Sequence, residues 1–301
     1  MTKTDAQIAR NDSNESFDPA MFDDLTADAT IGGRTLVRPL ARSRFGARYL
    51  ARDPRRDTDC IVWLFDRVPL EQGPRLWGYL KKNAGRRRPH ILTIEAAGRE
   101  TTGCWAVTPY VGNHDGVVTL ESLRAARGGV MSAFETGRAI EQLLDASVSA
   151  HAENEHHGSL DPACVLVNPR GTLEIGMYGL QATLEGTRPA EDAACDEIRS
   201  IGLIAERLLL GDAGDGTLSA PPTPDRLRAG SALRAWIRRA CDPIEGFDSA
   251  REAIASLPDR HDDASERRLD AARLLLGKLS AVVSPGRAKP GVSEGSTTGR
   301  V

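Results

Sequence analysis

The chain has 301 residues and a formal net charge of −3, so it can bury a full core in one large or two small domains and offers no global basic surface for nucleic acid or membrane. Its five cysteines, Cys60, Cys104, Cys164, Cys195 and Cys241, are odd in number and form no C-x-x-C pair, which excludes a disulfide framework and gives no cysteine zinc pattern. No apolar run of about 18 residues is present to span a membrane, and no apolar segment follows Met1 as a secretory signal requires, so a soluble cytoplasmic protein is expected.

Residues 1–30 are polar and acidic and are expected to be disordered. Phe17, Met21, Phe22 and Leu25 interrupt that polarity at helical spacing, as a short docking helix would. Residues 35–40, 47–52 and 60–65 read as three strands, with a turn at Asp53-Pro54-Arg55-Arg56-Asp57. Residues 70–83 read as a helix, and 91–94 and 104–108 as two further strands. This predicts an antiparallel sheet of about five strands with one helix. From Leu120 the pattern turns helical, with helices expected over 134–152, 198–210, 232–241, 249–257 and an amphipathic one over 265–283. Residues 284–301 are a Gly/Ser/Pro/Thr tail.

The most informative stretch is His157-Gly158-Ser159-Leu160-Asp161-Pro162-Ala163-Cys164-Val165-Leu166-Val167, followed by Met177-Tyr178-Gly179. It resembles the catalytic core of bacterial Ser/Thr protein kinases, which reads H-[RG]-D-[LI]-K-P-x-N-[VI]-L-[VL] and then D-F-G. The apolar and turn positions of that pattern are present and most of the chemical ones are replaced. His157 stands at the histidine, Ser159 at the general-base aspartate, Asp161 at the loop lysine and Cys164 at the metal-binding asparagine. Met177 stands at the metal-binding aspartate, and Gly179 remains.

The resemblance extends over about 31–257. The opening of the domain is similar to the kinase glycine loop, with Ala41 and Ser43 at the first two glycines, Gly46 at the third and Arg48 where an apolar residue roofs the adenine. Cys60-Ile61-Val62-Trp63 matches V-A-[VI]-K, which puts Trp63 at the phosphate-binding lysine. The lysine's glutamate partner falls near Tyr79, and no Asp or Glu occurs between Glu71 and Glu95. Glu197-Ile198-Arg199-Ser200-Ile201-Gly202 is similar to D-x-[WY]-[AS]-[LF]-G with glutamate for aspartate, and Gly246 replaces the arginine of D-P-x-x-R. Arg188-Pro189-Ala190-Glu191 is only faintly similar to A-P-E.

The resemblance implies an α+β, two-lobed protein kinase-like fold. Its expected parts are a disordered segment at 1–30, a sheet lobe at 31–112, a helical lobe at 113–260, and a helix and tail at 261–301. It further implies a degenerate member of the superfamily, a pseudokinase without catalytic, cofactor-binding or metal-binding residues, taking neither ATP nor Mg²⁺. Ala41, Ser43, Gly46, Trp63, Tyr79, Ser159, Asp161, Cys164, Met177 and Gly179 are then degenerate active-site positions. The expected role is a binding, scaffolding or regulatory module in signalling, with an unidentified protein partner and no nucleic acid. The alternative is a nucleotide-binding kinase-like protein with residual or atypical transferase activity. The basic run from Lys81 to Arg88 reads as a solvated face, with an acidic partner as the minority reading. In His156-His157, His157 reads as a packed histidine and His156 as an exposed one, because no ligand sits at metal spacing nearby in sequence.

Overall fold

A computed structural model describes residues 7–8, 28–100, 103–112, 116–158, 160–186, 190–211 and 224–258. Expectations for the docking helix, for Arg188 and Pro189 of the A-P-E-like segment, for the helix over 265–283 and for the tail lie outside the described residues. So does Ser159.

Strict alternation builds the small lobe. In β4 (Gly46–Asp53) Ala47, Tyr49 and Ala51 point to one face of the sheet, and in β5 (Thr58–Leu64) Cys60, Val62 and Leu64 join them. Ile61 and Trp63 point to the other face, towards the interior of the molecule. With both faces buried, register is strongly specified. The sheet order is β1-β6-β7-β5-β4-β3-β2. The remaining strands are β1 (Gln7–Ile8), β2 (Thr30–Ile31), β3 (Arg34–Ser43), β6 (Ala96–Glu100) and β7 (Gly103–Pro109). Among the described strands of this sheet, β1 pairs in parallel with β6 and the other pairings are antiparallel.

Two differences from the sequence expectation have physical causes. Residues 91–94 are no strand of this sheet. Their neighbourhood bonds instead to the large lobe, where Leu92 N donates to Ile175 O at 3.0 Å and Ile175 N donates to His90 O at 2.8 Å. The strand that does pair with β7 is Ala-Ala-Gly-Arg-Glu, a segment without a β-branched or aromatic residue. Gly98 is needed there because a Cβ would sit 2.2 Å from the Trp105 ring, and Gly32 faces the same ring at 2.4 Å with φ of +55°.

The helix α1 (Gly73–Asn83) follows a 3-10 turn at Leu70–Gln72 and buries Leu76, Tyr79 and Leu80 against the inner sheet face. In the large lobe α2 (Leu120–Ala126) and α3 (Ala133–His151) each start with a capping box, Thr119 with Ser122 and Ser132 with Glu135. The long helix α3 packs on α5 (Ala190–Leu210), α6 (Pro224–Cys241) and α7 (Ala250–Ala255) around Leu143, Leu144, Ile201 and Trp236. A hairpin of β8 (Val165–Val167) and β9 (Leu173–Ile175) and the short helix α4 (Leu180–Glu185) lie between α3 and α5. No helix among the described residues is long and apolar enough to cross a membrane.

Candidate functional site

The β3–β4 hairpin hangs over the space between the lobes. Ala41 and Ser43 lie at the end of β3, and the Ser43 hydroxyl accepts from Phe45 N at 3.3 Å and Gly46 N at 3.2 Å. Gly46 has no room for a side chain, since a Cβ there would lie 1.9 Å from Leu64 O. Phe45 turns inward and packs into the interlobe cluster, and Arg44 reaches Gln181 on α4. The hairpin is therefore tied to the large lobe through a side-chain hydrogen bond.

Beneath it, Trp63 is 4% exposed and its Nε1 donates to Thr108 Oγ1 at 3.0 Å. The ring lies against Gly176, where a Cβ would stand 3.2 Å from it. Tyr79 on α1 donates its hydroxyl to Tyr178 O at 2.8 Å, and burial pushes its phenol well above the ordinary tyrosine range. Met177 is buried beside them with φ of +52°, a left-handed backbone that costs a non-glycine residue about 1 kcal/mol or more. Trp63, Tyr79 and Met177 thus belong to one apolar cluster that joins the sheet, α1 and the segment after β9. Gly179, with φ of +79°, supplies the turn into α4.

Asp161 caps a turn. Its carboxylate accepts from Ala163 N at 2.7 Å at the head of the 3-10 turn Pro162–Cys164. The Cys164 thiol donates to Asp161 O at 2.8 Å, lies 3.7 Å from His157 Nε2, and is pushed by burial up to about 11. It is a neutral thiol at neutral pH and so a poor nucleophile.

Arg48 enters the same space as a cation. It stands directly across the β4–β5 ladder from Trp63, and its guanidinium carbon lies 5.2 Å from that ring. Arg48 is 5% exposed, and burial lowers its pKa from the ordinary arginine value. The sequence marks Arg48 as a lost adenine contact. The register instead makes it the charge that the strand pair brings into the cleft, and the signal for that is its position opposite Trp63.

At the base of the loop a second arrangement keeps its polarity. Glu197 on α5 is fully buried and accepts from His157 N at 2.7 Å, from Tyr178 Oη at 2.5 Å and from the Ser147 hydroxyl, with His151 Nε2 at 3.3 Å. Burial pushes its carboxyl up, but His151, His157 and Ser147 together outweigh that and hold it at about 2. The basic run ending α1 is not a free surface. Lys82, Arg86 and Arg88 all reach Glu155, and Arg86 and Arg88 also reach Glu153, so the acidic partner is this chain's own loop after α3. Burial raises the Glu155 carboxyl, and Lys82 and Arg88 more than offset it, leaving it at about 2. A cavity of about 1200 Å³ borders this network through Arg75, Lys82, Glu155, His156 and Arg199, and its lining holds none of Arg48, Trp63, Cys164 or Met177.

No family model matches the chain. Among curated relatives it is 27% identical over 197 residues to CBL-interacting protein kinase 17 of Oryza sativa subsp. japonica, covering 64% of this chain and 42% of that one. It is 27% identical over 179 residues to the probable serine/threonine-protein kinase pknA2 of Bifidobacterium longum (strain NCC 2705), covering 56% and 23%. The chain therefore spans less than half the length of these relatives. Among solved structures it matches a double mutant of the PknI kinase domain of Mycobacterium tuberculosis with a TM-score of 0.61 at 20% identity, over 77% of this chain and 98% of that domain.

These findings correct two expectations. The reading of the chain as no enzyme is overturned, because the relatives and structural neighbours are named kinases and point to an enzyme. The expectation of no ATP or magnesium is overturned with it, since such kinases use both. The donors around the cleft test the second point directly. Magnesium demands hard oxygen ligands, and the aligned positions hold the Cys164 thiol and the buried Met177 thioether. These two residues do not fit Mg²⁺. Fold, by contrast, is shared over the whole matched length: the chain has the α+β, two-lobed protein kinase-like fold.

Proposed function

We propose that this protein kinase-like domain binds a phosphate-bearing, nucleotide-class ligand in a rebuilt cleft, with Arg48 as the anchoring cation, and that any group transfer there is atypical. The observation that carries the reading is Arg48 itself. Its guanidinium is held over Trp63 by strand register, inside the space between the lobes. A planar guanidinium is matched to phosphate oxygens and stays charged despite burial. The neighbouring Cys164 is a neutral thiol and does not repel an anion.

A binding or regulatory role rests on a second observation. Trp63, Tyr79 and Met177 pack α1, the sheet and the post-β9 segment together, and a fixed lobe arrangement presents one surface to a protein partner. The five unpaired cysteines support a reducing compartment, the cytoplasm.

The test is a calorimetric and thermal-shift titration of the full chain with ATP, with and without Mg²⁺. Saturable stabilisation that does not need the metal, and that weakens at least tenfold in Arg48→Gln, is the expected result. Absence of saturable binding in both conditions, or equal binding by Arg48→Gln, removes the reading. Incubation with labelled ATP and a general protein substrate then measures transfer separately from binding.

A further inference from the structure

Independently of the cleft, we propose that His151, His156 and Glu197 form a binding site for one first-row divalent transition cation, zinc by its donor set. The three residues come from three places: the last turn of α3, the loop before the β8–β9 hairpin, and the start of the buried half of α5. Their nearest donor atoms all lie within 4.8 Å of one another. His151 Nε2 and Glu197 Oε2 are 3.3 Å apart. Two ligands each about 2.0 Å from a tetrahedral ion stand about 3.3 Å apart, so this pair is already at ligand spacing.

His156 supplies the independent observation. Both of its ring nitrogens are buried and have no hydrogen-bond partner among the described residues. Burial of an imidazole without partners is costly, and a cation between it and Glu197 removes that cost. Its ring stands 4.6 Å from the His151 ring, tilted by 43°. Burial, then His151, lower its proton affinity, which favours the neutral form that ligates a metal. Glu197 retains capacity for an ion: its Oε1 accepts from Ser147 and Tyr178, while its Oε2 takes one backbone bond, from His157. His156 also borders a cavity whose lining includes Ser200 and Asp196, from which water would complete the shell. Two imidazoles and one carboxylate suit zinc far better than magnesium or calcium.

Such an ion fastens the loop carrying His157 to α3 and α5. Its consequence is positional: it fixes the backbone on which Asp161 and Cys164 stand.

The experiment uses the full chain stripped with chelator, then titrated with ZnCl2 by calorimetry and with CoCl2 by visible absorption. One equivalent of zinc bound, a tetrahedral cobalt spectrum and a melting temperature raised by about 5 °C at saturation are expected. His156→Ala is the informative variant because no hydrogen bond is lost with the ring. It should keep the melting temperature of the metal-free chain and lose at least tenfold in zinc affinity and all of the cobalt spectrum. His151→Gln should likewise lose at least tenfold in zinc affinity and the cobalt spectrum, and His90→Gln, at a residue in the connection between small and large lobes, should leave zinc binding unchanged. Failure to bind one equivalent, or unaltered affinity in His156→Ala, overturns the proposal without touching the reading of the cleft.

Discussion

At the base of the loop around His157, buried polar side chains are paired with one another; across the cleft, a few residues away, the interior is apolar. Glu197, Ser147, Tyr178 and the His157 backbone satisfy each other in a site with no exposure. Around Trp63, Tyr79 and Met177 the packing is largely apolar, the polar tips of Trp63 and Tyr79 each find one acceptor, and the cation Arg48 lies against the Trp63 ring. The difference follows what the groups hold. A carboxylate that accepts from a loop backbone cannot be removed without stranding donors, because an unsatisfied buried group costs more than the bond it made contributes. The side chains of Trp63, Tyr79 and Met177 carry no charge, so their packing needs no buried counter-ion.

The largest expected effect breaks the polar side. Glu197→Ala strands the donors of Ser147, Tyr178 and His157 and should destabilise the fold by about 3–5 kcal/mol, read as the shift in a urea unfolding midpoint. Glu197→Gln keeps the shape and should cost less, which separates charge from packing. If Glu197→Ala unfolds at the wild-type midpoint, the base network does not hold the loop.

The apolar side comes next. Trp63→Ala empties an indole site and loses the bond to Thr108, for about 3–5 kcal/mol. Trp63→Lys should cost a similar amount, since it buries a cation beside Tyr79 and Met177 with no carboxylate to meet it. Adding Tyr79→Glu should recover about 1–3 kcal/mol of that loss, measured as coupling in a double-mutant cycle. Strict additivity of the two substitutions would show that positions 63 and 79 do not face one another as a pair.

The third effect is a pH dependence. Glu155 and Glu197 titrate near 2 in the fold, below the 4.5 of an unperturbed glutamate. The folded state therefore binds their protons less readily than the unfolded chain. Their stabilisation is complete above pH 4.5 and is lost as pH falls towards 2. Each shift corresponds to about 3 kcal/mol. Glu155→Gln should flatten this acid limb, and unfolding free energies measured between pH 5 and pH 3 give the slope.

How much of this was legible in the sequence depends on the kind of signal. The alternation in Cys60-Ile61-Val62-Trp63-Leu64 placed β5 and turned Trp63 inward, because a doubly buried strand leaves no freedom of register. Helices α3 and α5 followed from their apolar periods. Strand β6 was illegible because it holds no β-branched or aromatic residue and its Gly98 is needed for room beside Trp105, which is a tertiary requirement. The acidic partner of Arg86 and Arg88 lay some 65 residues downstream, beyond any local pattern. His151 and Glu197 were likewise hidden as neighbours of His156, since a helix end, a loop and a second helix meet only in the fold. Arg48 was visible as a substitution but not as a cation in the cleft, because only the pairing of β4 with β5 sets it opposite Trp63.

The smallest expected effect probes where the two regions touch. The Tyr178 backbone carbonyl accepts from Tyr79 on the cleft side, while the Tyr178 hydroxyl donates to Glu197 on the base side. Tyr178 is thus shared between the arrangements. Tyr79→Phe removes one hydroxyl, keeps the ring volume and leaves that carbonyl without its side-chain donor, for about 1–2 kcal/mol. If the base network holds Tyr178 by itself, the substitution should lower the unfolding midpoint without changing amide exchange around Glu197. If the two regions form one cooperative unit, exchange should rise at both, and the polar and apolar arrangements would have to be treated as a single structure.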